Sequence, residues 1–228
     1  MNTKTMLRQL HLDKEALENI RSAVQKAEAA TNGEIALSLA SESAPYGFWE
    51  LLASVVMSAV VFIVLLPFSG EIQRFAQQFF WSIPVWFMPF VTGCALLSAI
   101  VIFFFLVNIP LFDRLIIPQS VQKQLSYERA LRCFTESGVY KTKDSSGILI
   151  FASYLEKKVY ILADSGIAEK IEQNLWDSIA AELARNLGQG NGETAFVHAV
   201  EQCGSLLAEK FPAKKENPDE LPDGLVIL

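Results

Sequence analysis

Between Leu51 and Phe112 the chain carries only two charged residues, Glu71 and Arg74, while every other Asp, Glu, Lys and Arg lies outside that window. A water-soluble domain distributes charge along its length, because each surface element keeps a solvated face. The window divides into two apolar runs, LLASVVMSAVVFIVLLPFS (51–69) and PFVTGCALLSAIVIFFFLVNIPLF (89–112). Each is close to the ~20 residues that carry a helix across the hydrocarbon core of a bilayer. The expected organisation is a transmembrane helical hairpin over 48–113, with spans at about 51–69 and 89–112, inserted into a soluble domain. That domain is formed by 1–47 and 114–211, and a C-terminal tail, 212–228, follows. The connecting segment GEIQRFAQQFFWSIPVWFM and Trp49 hold three of the four tryptophans, as expected where rings sit at headgroup depth, and Pro84 and Pro89 interrupt it. A short interfacial helix is expected there rather than a third span.

The net charge of −6 resides almost wholly in the soluble remainder, which has no basic stripe for neutralising phosphates, so nucleic acid is excluded as a partner. Cys94, Cys133 and Cys203 are scattered, giving neither a disulfide framework nor metal-ligand spacing. The N-terminal segment has no apolar run of signal-peptide type. Arg114, Lys123, Arg129 and Arg132 follow the second span, whereas the connection between the spans offers only Arg74, offset by Glu71. That asymmetry predicts a multi-pass membrane protein with both termini and the soluble domain in the cytoplasm.

In the soluble part, Asp13 is placed to cap a helix whose Leu17, Ile20, Val24 and Ala27 share one face until Asn32-Gly33. GEIALSLAS then alternates as a strand. After the apolar window, Pro118 opens a helix that Gly138 ends, and GILIFASYL and KVYILA form a hairpin connected at Glu156-Lys157. Helices follow from Gly166 to Gly188 and from about Ala195 to Pro212. A strand, a crossover containing a helix and a second strand is the βαβ plan, so the strands beginning at Glu34 and Gly147 are expected to run parallel. The fold class is therefore α/β, an α/β/α sandwich with a small mixed sheet interrupted by the two-helix hairpin.

This plan gathers Glu34, Asp144 and Asp164 at the end of the sheet away from the spans, with Glu169 nearby. Clustered carboxylates suit a hard cation such as calcium or magnesium, and the three are the candidate metal ligands. As alternatives, Asp164 in ADSG is a good helix cap, and Glu34 and Asp144 can be solvated flanks. Nucleophilic catalysis would have to pair Ser146 or Ser165 with His11 or His198, the only histidines. Gly188, Gly190 and Gly192 in GQGNGE join two helices rather than follow a strand, and read as helix termination rather than a phosphate loop. Lys214-Lys215, followed by Glu216, Asp219 and Glu220, reads as a solvated tail.

The succession GEIALSLA, ERALRCFTESGVYKTKDSSGILIFASYLEKKVYILADSGIAEKI, Trp176, AFVHAVEQCGSLLAEKFP and ENPDELPD resembles the TPM-domain family of thylakoid-lumen, photosystem-repair and receptor-accessory proteins. More closely it resembles a bacterial branch with a two-span membrane insertion, which implies the bacterial inner membrane. The resemblance implies an α/β/α sandwich. Some relatives are described as acid phosphatases, some as calcium-binding, and one animal member is an accessory subunit of a receptor channel. This chain has Ser146-Gly147 where the family commonly has Asn-Gly. Two functions are consistent with these features: a non-catalytic accessory module for the assembly or turnover of a membrane-protein partner, and a metal-assisted phosphatase at the membrane surface.

Overall fold

The computed structural model describes residues 3–79, 82, 84–107, 116–142, 145–213 and 221–228. Two compact units result, one from Met1–Ala44 with Gln119–Leu228 and the other from Pro45–Pro118.

The first unit is built on a mixed four-stranded sheet of order β3-β2-β1-β4, where β1 is Glu34–Ala40, β2 Gly147–Ser153, β3 Lys158–Ala163 and β4 Leu225–Ile227. β1 and β2 are parallel, with Glu34 opposite Gly147 and Ala40 opposite Ser153, as the crossover requires. β3 returns antiparallel to β2. β4 lies parallel to β1 at the edge, where Leu228 N donates to Leu39 O at 2.9 Å. The sequence reading assigned these last residues to a tail. LVI is too short for periodicity to separate a strand from a disordered end, and pairing with β1 supplies the hydrogen bonds that fix it.

Alternation along the strands sorts the core into two layers. Ile35, Leu37, Leu39, Ile148, Ile150 and Ile161 face a layer completed by α2 (Lys14–Glu28), α8 (Gln173–Gly188) and α9 (Gly192–Lys210). Ala36, Ala40, Leu149 and Phe151 face Ala130 and Cys133 of α6 (Gln119–Glu136) on the other side. Both layers are apolar, which explains why β1 and β2 are buried at every position and read as near-continuous hydrophobic runs.

The helix ends follow the expected chemistry. Asp13 accepts from Ala16 N at 2.9 Å, the N-cap bond predicted for α2. Gly138 after α6 adopts φ 77°, a left-handed conformation that suits glycine at a helix terminus. Residues Thr3–Gln9 form an additional helix, α1, whose Met6 is fully buried and which the sequence reading did not delineate. α7 is the single turn Ser165–Ala168. The β2–β3 connection is Tyr154–Lys157 rather than Glu156-Lys157 alone. Glu156 is 3% exposed and part of the interior.

The second unit consists of α3 (Gly47–Leu65), a 3₁₀ turn over Leu66–Phe68, α4 (Ser69–Gln77) and α5 (Phe87–Val107). Pro89 falls in the first turn of α5, where its missing N–H is not needed. α3 and α5 pack together through small residues, and Ser58 Oγ donates to Leu96 O at 3.2 Å. The outward faces are apolar: Phe48 is 70% exposed, Leu97 67% and Phe105 72%. Two helical stretches, Gly47–Gln77 and Phe87–Leu106, are long and apolar enough to cross a membrane. The segment 108–112 that closed the expected second span, together with Trp81 and Arg114, lies outside the described residues.

Candidate functional site at the acidic end of the sheet

β1 begins at Glu34 and β2 at Gly147, and these residues are register partners. Asp164 follows β3 directly and donates its backbone N–H to Gly147 O at 2.9 Å. Glu34 and Asp164 therefore flank Gly147 at one end of the sheet, as the order of elements implies. In-register residues project to the same face, here the α6 side, because Ala36 and Leu149, two positions on, face the α6 layer. The two backbones stand two strand spacings apart, ~9–10 Å. Asp144 lies outside the described residues.

Burial separates the two carboxyl groups. Glu34 is 4% exposed, and its backbone N–H donates to Ser146 O at 3.1 Å. Asp164 is half-buried. Its Oδ1 accepts from Ser165 N at 2.6 Å, capping α7, while its Oδ2 is shielded from solvent with no hydrogen-bond partner among the described residues. Such an acceptor carries an uncompensated desolvation cost, which a cation or a donor would relieve.

The space between the two is occupied. A Cβ placed on Gly147 would stand 2.6 Å from Val139 Cγ1 and 2.7 Å from Val139 O, so Val139 covers Gly147 on the face that the carboxyl groups share. A 3₁₀ turn, Val139–Lys141, holds it there. Ser146 N donates to Thr142 Oγ1 at 3.1 Å and Ser146 Oγ to Asn32 O at 2.9 Å, which fix the approach to β2. Glycine at position 147 is required by this contact rather than by backbone conformation. Among the described residues no group of three or more His, Cys, Asp or Glu side chains is placed to share an ion. Glu34 and Asp164 supply oxygens of the right chemistry for a hard cation, but as two positions on either side of Val139. Glu169 is the C-cap of α7 and exposed.

The other candidates have partners elsewhere. Ser146 Oγ is used by Asn32 O, and Ser165 Oγ lies 3.3 Å from Asp164 Oδ1. His11 Nδ1 is 3.1 Å from Gly190 O, and His198 Nδ1 is 3.6 Å from Glu182 Oε1 on α8. Gly188, Gly190 and Gly192 join α8 to α9, with Gly190 at φ 84°. Cys133 and Cys203 are buried and free, and burial pushes both thiols up from their ordinary range. Lys214, Lys215, Glu216, Asp219 and Glu220 lie outside the described residues.

One buried polar cluster escaped the sequence reading. At the opposite end of the sheet Glu156 Oε1 accepts from Ser43 N at 2.9 Å, Ser153 Oγ donates to Glu156 Oε2, and Ser43 Oγ donates to Ser153 Oγ at 2.8 Å. A Glu in a hairpin loop is ordinarily solvated, so nothing local marked this one.

The geometry agrees with comparison to known proteins. Residues 114–206 match the TPM domain. The fold is similar to the NMR structure of the BA42 protein from the psychrophilic bacterium Bizionia argentinensis, with a TM-score of 0.55 and 20% identity over 95% of each chain. At that identity the likeness concerns the fold alone. No curated protein matches the chain. The match covers α6, β2, β3, α7, α8 and most of α9, and over these residues the chain is similar to the TPM domain.

Proposed function

We propose that this protein is a TPM domain anchored in a bacterial inner membrane by α3 and α5, with both termini cytoplasmic, acting as an accessory module for the assembly or turnover of a membrane-protein partner. The observation that carries the anchoring is the outward apolar surface of the second unit, where side chains such as Phe90 and Phe105 are 61% and 72% exposed. Exposed apolar surface of that extent is unfavourable in water and favourable in hydrocarbon. The orientation rests on the charge asymmetry in the sequence. Reporter fusions at residues 1 and 228 should both give a cytoplasmic signal. In a Cys94→Ser background, Gln77→Cys should react with an impermeant thiol reagent from outside. A periplasmic signal from either terminus overturns the orientation, and extraction of the protein from membranes by alkaline carbonate overturns the anchoring.

A second reading, a divalent-cation site with metal-assisted phosphatase chemistry, is favoured by Asp164 Oδ2, the buried acceptor with no donor among the described residues. A carboxylate there, with Asp144 contributing and Glu34 beyond Val139, would hold calcium or magnesium, and the ion would polarise a phosphoryl oxygen. Saturation at ~100 times Kd stabilises the folded state by about 2.7 kcal/mol. Added calcium or magnesium should therefore raise the melting temperature of the full chain by ~5–10 °C. Asp164→Asn should remove the rise. A melting curve independent of both ions excludes this reading and leaves the accessory role.

A further inference from the structure

Glu34, Asp164, Glu169 and Glu172 stand at or beyond the starts of β1 and β2, together with Lys141 and Lys170, whereas the opposite end gathers lysines from two distant parts of the sequence, with the exposed Glu42 as the carboxylate beside them. The β2–β3 turn is clasped to the end of β1. Tyr154 N donates to Ala40 O at 3.0 Å, Leu155 N to Ser41 O at 3.1 Å, and Ser43 N to Glu156 Oε1 at 2.9 Å. Lys157 is exposed at that turn with φ 52°, and Lys158 opens β3 opposite Ser153. Lys123, exposed near the start of α6, is brought toward the same region by Tyr160, whose hydroxyl donates to Lys123 O at 3.2 Å. None of the three lysines forms a salt bridge among the described residues. Glu156 does not face outward against them, since it is 3% exposed and its carboxyl group is engaged by Ser43 and Ser153.

These lysines also mark the two places where the chain changes unit. The turn carrying Lys157 and Lys158 is hydrogen-bonded to residues 40–43, and the first unit ends at Ala44. It resumes at Gln119, four residues before Lys123. A bilayer that takes up α3 and α5 is tethered to the TPM domain through these two crossings. Its anionic phosphates offer the charge that the lysines lack within the protein.

We infer that Lys123, Lys157 and Lys158 form a docking surface for the phosphates of anionic phospholipid headgroups, holding the TPM domain against the membrane that its own helices enter. The inference rests on the anchoring reading above. Each lysine near an anionic surface contributes about a 5-fold preference for the docked state, so the three together give on the order of 100-fold. The interaction weakens as salt shortens the screening length.

The test uses the full chain in nanodiscs of phosphatidylcholine alone and of phosphatidylcholine with phosphatidylglycerol, with lysine acylation followed by mass spectrometry. In the anionic discs, acylation of Lys123, Lys157 and Lys158 should slow by at least ~5-fold relative to the neutral discs, the factor for a single lysine, while Lys26 and Lys210 are unchanged. High salt should restore the rates. The pair Lys157→Glu and Lys158→Glu, both surface changes, should release Lys123 as well. Equal rates in the two discs overturn the proposal. Equivalent protection by inorganic phosphate in neutral discs shows a soluble anion site and overturns the lipid assignment. Failure of the chain to remain with either disc overturns the anchoring reading and this proposal with it, whereas unchanged rates in a chain that stays with the discs overturn this proposal alone.

Discussion

Trp176→Ala lowers the melting temperature of the full chain in detergent by ~6–20 °C. Trp176 is 1% exposed and among the largest fully buried side chains, packed in the layer that α2, α8 and α9 form over the sheet. Truncating a buried tryptophan costs about 3–5 kcal/mol, through lost transfer energy and the cavity left behind. For a chain of this size each kcal/mol corresponds to ~2–4 °C. Its Nε1 has no hydrogen-bond acceptor among the described residues. Trp176→Phe therefore removes an unsatisfied donor along with some volume, and should cost less than about half as much as the alanine variant. Thermal denaturation followed by circular dichroism measures both. Equal losses for Phe and Ala would mean that the indole nitrogen is used.

Glu156→Ala should destabilise the domain by about 3 kcal/mol, although a hairpin-loop glutamate is ordinarily replaceable at almost no cost. Its carboxyl group satisfies Ser43 N at 2.9 Å and the Ser153 hydroxyl in a region where Ser153 is 2% exposed. Truncation leaves the buried Ser153 hydroxyl and the part-buried Ser43 N–H without this acceptor, at about 1–3 kcal/mol for each unsatisfied group. Glu156→Gln keeps the acceptor for Ser43 N but turns an amide donor toward Ser153, so about 1 kcal/mol is lost. A chemical-denaturation series with Ala, Gln and Ser153→Ala separates these contributions. Because the cluster clasps residues 40–43, the alanine variant should also raise hydrogen exchange of the Ser43 amide. An alanine variant as stable as the parent would show that water replaces the carboxyl group.

The candidate site was legible from the sequence as placement but not as geometry. A parallel β1–β2 pair followed by a hairpin puts Glu34 and Asp164 at one end of the sheet whatever the side chains do, and Gly147 stands between them. Nothing in the sequence pattern indicated that Val139 covers Gly147, because that contact joins a 3₁₀ turn to a strand through the absence of a Cβ. Nor did it show that Asp164 divides its two oxygens between capping α7 and a shielded position. These are matters of distance between atoms, and periodicity carries no such information.

Local chemistry, by itself, determined where the elements lie and which of them are apolar on every side. Charge depletion from 51 to 112 marked α3 and α5, Asp13 and Gly138 marked the termini of α2 and α6, and alternation marked β1. Each of those signals acts within a turn or two of chain, so it survives without knowledge of the fold. Only the tertiary structure decided that Leu225–Ile227 completes the sheet, that Glu156 turns inward onto Ser43 and Ser153, and that Lys123 meets the end that carries Lys157 and Lys158. Apart from the Ser153–Glu156 bond, those outcomes join residues from 37 to almost 190 positions apart, and they form because buried backbone and carboxyl groups must find partners wherever the packed layers bring them.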